Sequence, residues 1–217
     1  MIVTIDGPAG AGKSSAAREL AKRLGFRFLD TGAMYRAVTL AARERGLDLA
    51  GAAQLAQLVR TIRVELAGDR VLLDGKDVTA AIRKFDITTA IHHAADNAAV
   101  REQLVIWQRQ AAAGGDVVTE GRDQGTVVFP HAECKIFLIA DEQERARRRH
   151  RDLLARGEEI PFEEVLANQR LRDQRDQSRP VGALRKAADA IEVSTDGLSP
   201  DEVVLKLERI VRSKQSR

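Results

Sequence analysis

Gly7-Pro8-Ala9-Gly10-Ala11-Gly12-Lys13-Ser14 fits G-x-x-x-x-G-K-[ST], and its setting constrains the fold more than anything else in the chain. Just before it runs Ile2-Val3-Thr4-Ile5, a β-branched apolar stretch that reads as a buried parallel strand. Just after it, Lys13 to about Leu24 is rich in Ala, Leu, Arg and Lys and reads as a helix stopped by Gly25. A strand that turns through glycines into a helix N-terminus is a phosphate cradle. Gly7, Gly10 and Gly12 let backbone N–H groups wrap the β-phosphate of a nucleotide. The helix N-terminus adds partial positive charge, Lys13 reaches the β- and γ-phosphates, and the Ser14 hydroxyl serves Mg²⁺ directly or through water.

The remaining elements extend this start into an α/β fold with a central parallel sheet flanked by helices. Phe26 to Leu29 predicts a second short strand, and Asp30-Thr31-Gly32 leads into a helix from about Ala33 to Arg45. The middle changes character. Arg63–Leu66 and Arg70–Leu73 flank Ala67-Gly68-Asp69, and Asp74-Gly75-Lys76 leads to Asp77-Val78-Thr79. This predicts a small antiparallel meander inserted over about 59–85. One helical stretch follows, from about Ile87 to Ala113. Asp116–Thr119 and Lys135–Ile139 read as strands, about Asp141–Ala155 and Phe162–Gln177 as helices, and Ala190–Val193 as a last strand. Ser199, Pro200 and Glu202 form a helix-start signal for the C-terminal helix. The predicted organisation is a single chain with a core over about 1–58, 86–140 and 180–217, the insert, and a lid over about 145–179.

Composition excludes several classes. Cys134 is the only cysteine, which leaves no disulfide scaffold and no cysteine-based zinc site. No apolar run approaches the ~20 residues of a membrane span, and the MIVTID start shows no signal peptide, so a cytoplasmic setting is expected. One tryptophan and six phenylalanines offer little surface for stacking single-stranded nucleic acid. Eight of the 35 basic side chains are lysines and 27 are arginines, yet the net charge is only +3. Ten arginines fall between Arg145 and Arg179 (Arg156 among them), where an even spread would place about four. Arginine grips phosphate bidentately, so two helices carrying it beside a phosphate cradle suit a closing lid.

Three classes of P-loop protein compete. A GTPase would carry an Asn-Lys-x-Asp base-reading motif, but Asn97 precedes Ala98 and Asn168 precedes Gln169. A helicase or motor would carry an acidic Walker B strand and coupling elements, whereas the strand through Thr119 runs into Glu120-Gly121-Arg122-Asp123. A small-molecule kinase fits the length and the arginine distribution.

Gly7–Ser15 (GPAGAGKSS), Asp30–Arg36 (DTGAMYR), Val100-Arg101, Gln108-Arg109, Glu120–Pro130 (EGRDQGTVVFP), Lys135–Leu138, Arg145–Arg149, the Arg172–Arg179 run and Asp189-Ala190-Ile191 together resemble the bacterial cytidylate kinase family. The likeness spans nearly the whole chain in order, and the insert matches that family's monophosphate-binding subdomain. It implies transfer of the γ-phosphoryl group of ATP to CMP or dCMP, with Mg²⁺. A monomer without nucleic-acid or membrane partners is expected. Carried over by position, Gly7, Pro8, Ala9, Gly10, Ala11, Gly12, Lys13, Ser14 and Ser15 hold ATP. Asp30, Thr31, Tyr35, Arg36, Arg101, Arg122, Asp123, Arg172, Asp176 and Arg179 hold CMP. Lys13, Arg122, Arg149, Arg172 and Arg175 are the expected catalytic cations. The sequence departs from the family pattern at His92, where a base-reading serine is common, and at Ile139, Gly182-Ala183 and Ser194-Thr195. The alternatives are a P-loop kinase of UMP, AMP or a shikimate-like acceptor, and a nucleotide-dependent nucleic-acid-binding regulator supported by the basic run Arg145–Arg151.

Overall fold

The computed structural model describes residues 1–155 and 157–215; Arg156, counted above with the lid arginines, lies outside them. The strands are β1 (Ile2–Asp6), β2 (Arg27–Asp30), β3 (Val64–Ala67), β4 (Arg70–Leu73), β5 (Lys76–Asp77), β6 (Val117–Gly121), β7 (Cys134–Ile139) and β8 (Ile191–Ser194). The α-helices are α1 (Lys13–Leu24), α2 (Thr31–Glu44), α3 (Ala52–Leu58), α4 (Phe85–Asp96), α5 (Ala98–Ala112), α6 (Glu142–Leu154), α7 (Phe162–Ser178) and α8 (Pro200–Gln215). They fall into two compact units, one made of Met1–Phe26 with the chain from Val117 onward, the other of Arg27–Asp116.

In the first unit four strands stand in the order β6-β1-β7-β8, all parallel. Val3 pairs with Val118 on one side and Cys134 on the other. Parallel strands are covered on both faces, which is why these segments are continuous apolar runs: Val3, Ile5, Val117, Val118, Ile136 and Leu138 are all buried. Parallel order also brings the C-terminal ends of the strands to one edge, where open α/β sheets bind ligands. Asp6, Gly121 and Ile139 end strands on that edge.

α1 buries Ala16, Ala17, Leu20 and Ala21, a stripe at helical spacing, and packs on α8. Gly25 ends it at φ 70°, with Phe26 N donating to Ala21 O at 2.9 Å, a glycine-dependent C-cap. The expected start of α8 is present as a reciprocal box: Glu202 N donates to Ser199 Oγ at 3.3 Å and Ser199 N to Glu202 Oε2 at 2.8 Å.

In the second unit β2 feeds α2, and β3-β4-β5 form the antiparallel meander. Val64 pairs with Leu73 and Ala67 with Arg70 around the Gly68-Asp69 turn. Asp74 and Gly75 have φ of 50° and 80°, the double positive φ of a type I′ hairpin turn. Met34, Val38, Leu55, Leu58, Ile82, Ile87 and Leu104 fill the core of this unit.

Three local features differ from the sequence expectation. The helix expected over Ile87–Ala113 is two helices. Asn97 is extended between them and caps α5 by accepting from Val100 N at 3.1 Å, which an asparagine does better than it sustains a helix interior. α3 was not anticipated; it is one seven-residue run of Ala, Gln and Leu without a polar start signal. Gln124–Val128 forms a single π-helical turn, closed by Phe129 N donating to Gln124 O at 2.7 Å. Such turns mark functional segments and have no simple sequence period.

Candidate active site

In the first unit the cradle has the conformation its glycines allow. Gly7, Gly10 and Gly12 have φ of 149°, 80° and 85°. A Cβ at Gly7 would lie 2.1 Å from Leu138 O, so only glycine fits where the loop crosses β7. Gly12 precedes α1 without a side-chain cap, leaving the first amides of the helix to a ligand. Ala9 O accepts from Arg145 Nη1 at 2.9 Å, so that carbonyl is engaged by a side chain from α6. Pro8 and Ala9 are half-buried, Ala11 is buried, and Ser15 is exposed at the start of α1.

Lys13 is buried, with Nζ donating to Pro8 O at 2.7 Å. Burial, and then the positive charge of Arg122, lower its pKa from 10.5 to about 7, while Glu120 and Asp6 oppose the shift. Ser14 Oγ donates to Glu120 Oε1 at 2.9 Å, placing a hydroxyl and a carboxylate together at the end of β6. This all-oxygen pair fits a hard divalent cation such as Mg²⁺. No cluster of three or more His, Cys, Asp or Glu suited to a metal occurs among the described residues.

Beyond β6 the arginines separate by environment. Arg122 Nε donates to Asp176 Oδ2 at 2.6 Å, and Arg179 Nη2 donates to Asp176 Oδ1 at 2.8 Å. Burial alone would raise the Asp176 carboxyl. The Arg122 charge and hydrogen bond, then Arg179, outweigh it and hold the carboxyl below its ordinary value. Asp176 and Arg179 are buried and Arg122 is half-buried, so one buried carboxylate serves two guanidinium groups. Arg172, though exposed at its outer surface, is held below the ordinary arginine value by desolvation, then by Arg122; Arg149 opposes it as well. Arg149 is half-buried on α6, and Arg175 is exposed on α7. Lys13, Arg122, Arg149 and Arg172 therefore form a group of cations close enough to disfavour one another's charge, with Glu120, Asp173 and Asp176 among them as counter-charges; such a cluster of perturbed cations suits a polyanion.

Arg145 differs from its helix neighbour Arg149. It is buried, and its Nη1 donates to Ala9 O and to Asp173 Oδ2 at 2.7 Å while Nε donates to Ala140 O at 3.0 Å. It ties the cradle to α7 instead of projecting as a free cation. The two are four residues apart on α6, a spacing that puts both on one helical face and does not by itself distinguish them.

In the second unit Asp30 caps α2, its Oδ1 accepting from Ala33 N at 2.9 Å and from Arg36 Nη2 at 3.4 Å. Arg36 Nε is buried with no hydrogen-bond partner, a donor awaiting an acceptor. A Cβ on Gly32 would lie 3.2 Å from Arg36 Nη1, so that glycine makes room for the guanidinium. Arg101 is buried, its guanidinium carbon 5.5 Å from the Tyr35 ring centroid, and Nη1 donates to Ala95 O at 3.0 Å. This cation–π contact fixes Arg101 above a ring that is itself in the core. Thr31 is buried at the first turn of α2. His92 is on α4, its ring 4.1 Å from that of His93 and its Nδ1 3.0 Å from Thr89 O.

The sequence assigns no individual role to Asp6, Glu120, Gln124 or Asp173, and it groups Arg145 with the lid arginines. Glu120 and Gln124 stand inside the EGRDQGTVVFP block, which was the available signal; Asp6 had none beyond adjoining Gly7. Asp6 is buried, with Oδ1 accepting from Gln124 N at 2.9 Å and Oδ2 from Gly125 N at 2.7 Å. Burial pushes its carboxyl up to about 6, against the pull of those two amides; Asp123, itself buried, pushes the same way as burial.

The sequence model of the family described as cytidylate kinase matches residues 3–213. A cytidylate kinase of Rhodopirellula baltica is 52% identical over 212 residues, covering 98% of this chain and 93% of that protein. One from Carboxydothermus hydrogenoformans is 47% identical over 218 residues, covering 99% and 98%. A bifunctional pantoate ligase/cytidylate kinase of Gloeobacter violaceus is 45% identical over 221 residues, covering 98% of this chain but 43% of that larger protein. Among solved structures, a shikimate kinase from Bacteroides thetaiotaomicron superposes with a TM-score of 0.51 at 12% identity, covering 98% of both chains, a likeness of fold alone. With the cradle in place and the family pattern matched from end to end, the chain belongs to the cytidylate kinase family.

Proposed function

We propose that this kinase transfers the γ-phosphoryl group of ATP to CMP or dCMP, giving ADP and CDP or dCDP. The observation that carries the reading is the cation group Lys13, Arg122, Arg149 and Arg172 beside the cradle, whose mutual repulsion a polyphosphate relieves. Family membership gives the acceptor its base.

The acceptor oxygen belongs to a phosphate and is already ionised at neutral pH, so the reaction needs no general base. His92, His93, His131 and His150 have no catalytic part in it. Catalysis is positioning and charge stabilisation. The backbone amides of the Gly7–Ser14 loop other than Pro8, with the Lys13 side chain, hold the donor phosphates, and Ser14 with Glu120 would hold Mg²⁺. That ion, when bound, neutralises charge on the β- and γ-oxygens. Arg36, Arg101 and Arg122 grip the acceptor phosphate, and Arg172, Asp176 and Arg179 serve sugar and base with Asp30, Thr31, Tyr35 and Asp123. Arg149, Arg172 and Arg175 steady the moving phosphoryl group as 145–179 closes as a lid. We place the enzyme in the cytoplasm as a monomer without nucleic-acid or membrane partners; no helix among the described residues is long and apolar enough to cross a membrane.

ADP release that depends on CMP or dCMP tests this reading. Arg36→Ala removes the guanidinium whose Nε is orphaned in the free enzyme. It is expected to raise KM for CMP about 30-fold, with kcat within about threefold, because charged hydrogen bonds to a phosphate contribute roughly 2 kcal/mol in ground and transition states alike. An unchanged KM would remove Arg36 from the acceptor site.

A further inference from the structure

The carboxylate of Asp6 is buried, and no step above uses it. It ends β1, one residue before the cradle begins. Its two oxygens receive the amides of Gln124 and Gly125, at 2.9 and 2.7 Å. Those amides open the π-helical turn and, like the first amides of any helix, take their acceptor from outside it. Arg122 and Asp123 immediately precede that turn. The segment rests directly on β1: a Cβ on Gly125 would come within 3.0 Å of Thr4 Oγ1 and 3.4 Å of Asp6 Oδ2. From β6, Thr119 Oγ1 donates to Gln124 Oε1 at 2.9 Å and holds the same turn by a second tether.

Only a carboxylate meets two converging N–H donors with two acceptor oxygens. An asparagine of the same size offers one oxygen, and turns an NH₂ group toward the second amide. An unpaired buried N–H then favours a shift of the turn.

We propose that Asp6 is a positioning residue that sets Arg122 and Asp123 in register with the phosphate cradle, one carboxylate joining the segment that holds the donor to the segment that holds the acceptor. The inference rests on the reading of Arg122 and Asp123 as acceptor residues. A displacement of about 1 Å in such a segment is enough to cost roughly 100-fold in rate.

The test compares Asp6→Asn, Thr119→Val and the double variant with wild type. Asp6→Asn is expected to leave ADP affinity, by calorimetry, within about threefold, while KM for CMP rises and kcat falls, each about tenfold. Thr119→Val is expected to raise KM for CMP about threefold. The double variant is expected to lose less than the product of the two, since both tethers hold one turn. Unchanged CMP constants in Asp6→Asn, equal weakening of ADP and CMP, or strictly multiplicative losses would each overturn the proposal. Should Asp6→Asn not fold, Thr119→Val decides it: an unchanged KM for CMP overturns it. A wild-type enzyme inactive on CMP would sink the functional reading instead, and hydrogen exchange of the Gln124–Val128 amides would then decide the tether. Faster exchange there in Asp6→Asn supports it; unchanged exchange overturns it.

Discussion

Lys13→Ala is expected to lower kcat about 1,000-fold while ADP affinity falls far less, measured by a coupled assay and calorimetry. Removing one preorganised cation or donor from a phosphoryl or oxyanion site costs roughly 3–4 kcal/mol of transition-state stabilisation. The structure adds a second expectation. Lys13 has a pKa of about 7 without ligand, because burial and Arg122 disfavour its charge. A triphosphate in the cradle supplies the missing negative charge and raises that pKa. ATP binding near pH 7 should therefore take up roughly half a proton at this residue. Calorimetry in buffers of different ionisation enthalpy reads that uptake, and Lys13→Ala should lose it; equal uptake in wild type and variant would contradict the assignment. The same shift bears on folding. Between about pH 7 and 10.5 the unfolded chain keeps a proton that the folded chain has released, so this residue's contribution to stability rises with pH across that window. Below about 7 both states hold the proton and the cost of burying the charge is imposed in full. The cradle is thus a place where folding accepts a cost that substrate binding offsets.

Asp176→Asn is the second large effect. It removes the carboxylate between Arg122 and Arg179 and leaves both guanidinium groups without their counter-charge, Arg179 in a buried setting. Breaking one side of a buried ion pair costs about 3–5 kcal/mol, so urea unfolding at pH 7 should show a loss of at least about 3 kcal/mol. A loss under about 1 kcal/mol would show that the trio is not held as the structure places it. The acid side has a definite sign. Asp176 titrates below its ordinary 3.8 in the folded chain, so its contribution is fully present above that value and fades as pH falls through the folded pKa. Wild type should lose this component below about pH 4, and Asp176→Asn should lack it.

What could be read in the sequence was local chemistry in a local setting. The cradle declared itself because its glycines, lysine and serine lie within eight residues between a β-branched strand and an alanine-rich helix. The meander and the Ser199 box were legible for the same reason. Partnerships across long separations were not. Ser14 meets Glu120 106 residues away, and Asp6 meets Gly125 across 119. The π-helical turn follows from those long-range tethers, so no period announced it.

The arginine excess divides along the same line. Arg23 pairs with Glu19, Arg63 with Glu65 and Arg212 with Glu208 at the surface, where such pairs contribute little. Arg122, Arg145 and Arg179 are engaged inside the first unit instead. Spacing gave Arg145 and Arg149 the same helical face, and only burial separated the strut from the free cation. The low lysine content is consistent with guanidinium groups at sites that need two parallel donors.

The most direct measurement is a steady-state acceptor screen with wild-type enzyme, ATP and Mg²⁺, offering CMP, dCMP, UMP, AMP, GMP and dTMP in turn. CMP or dCMP is expected to give ADP with kcat/KM at least about tenfold above every other acceptor, since a site built to hydrogen-bond one base edge rejects those that leave its groups unpaired. No turnover of either, or faster turnover of another acceptor, would contradict the proposed function.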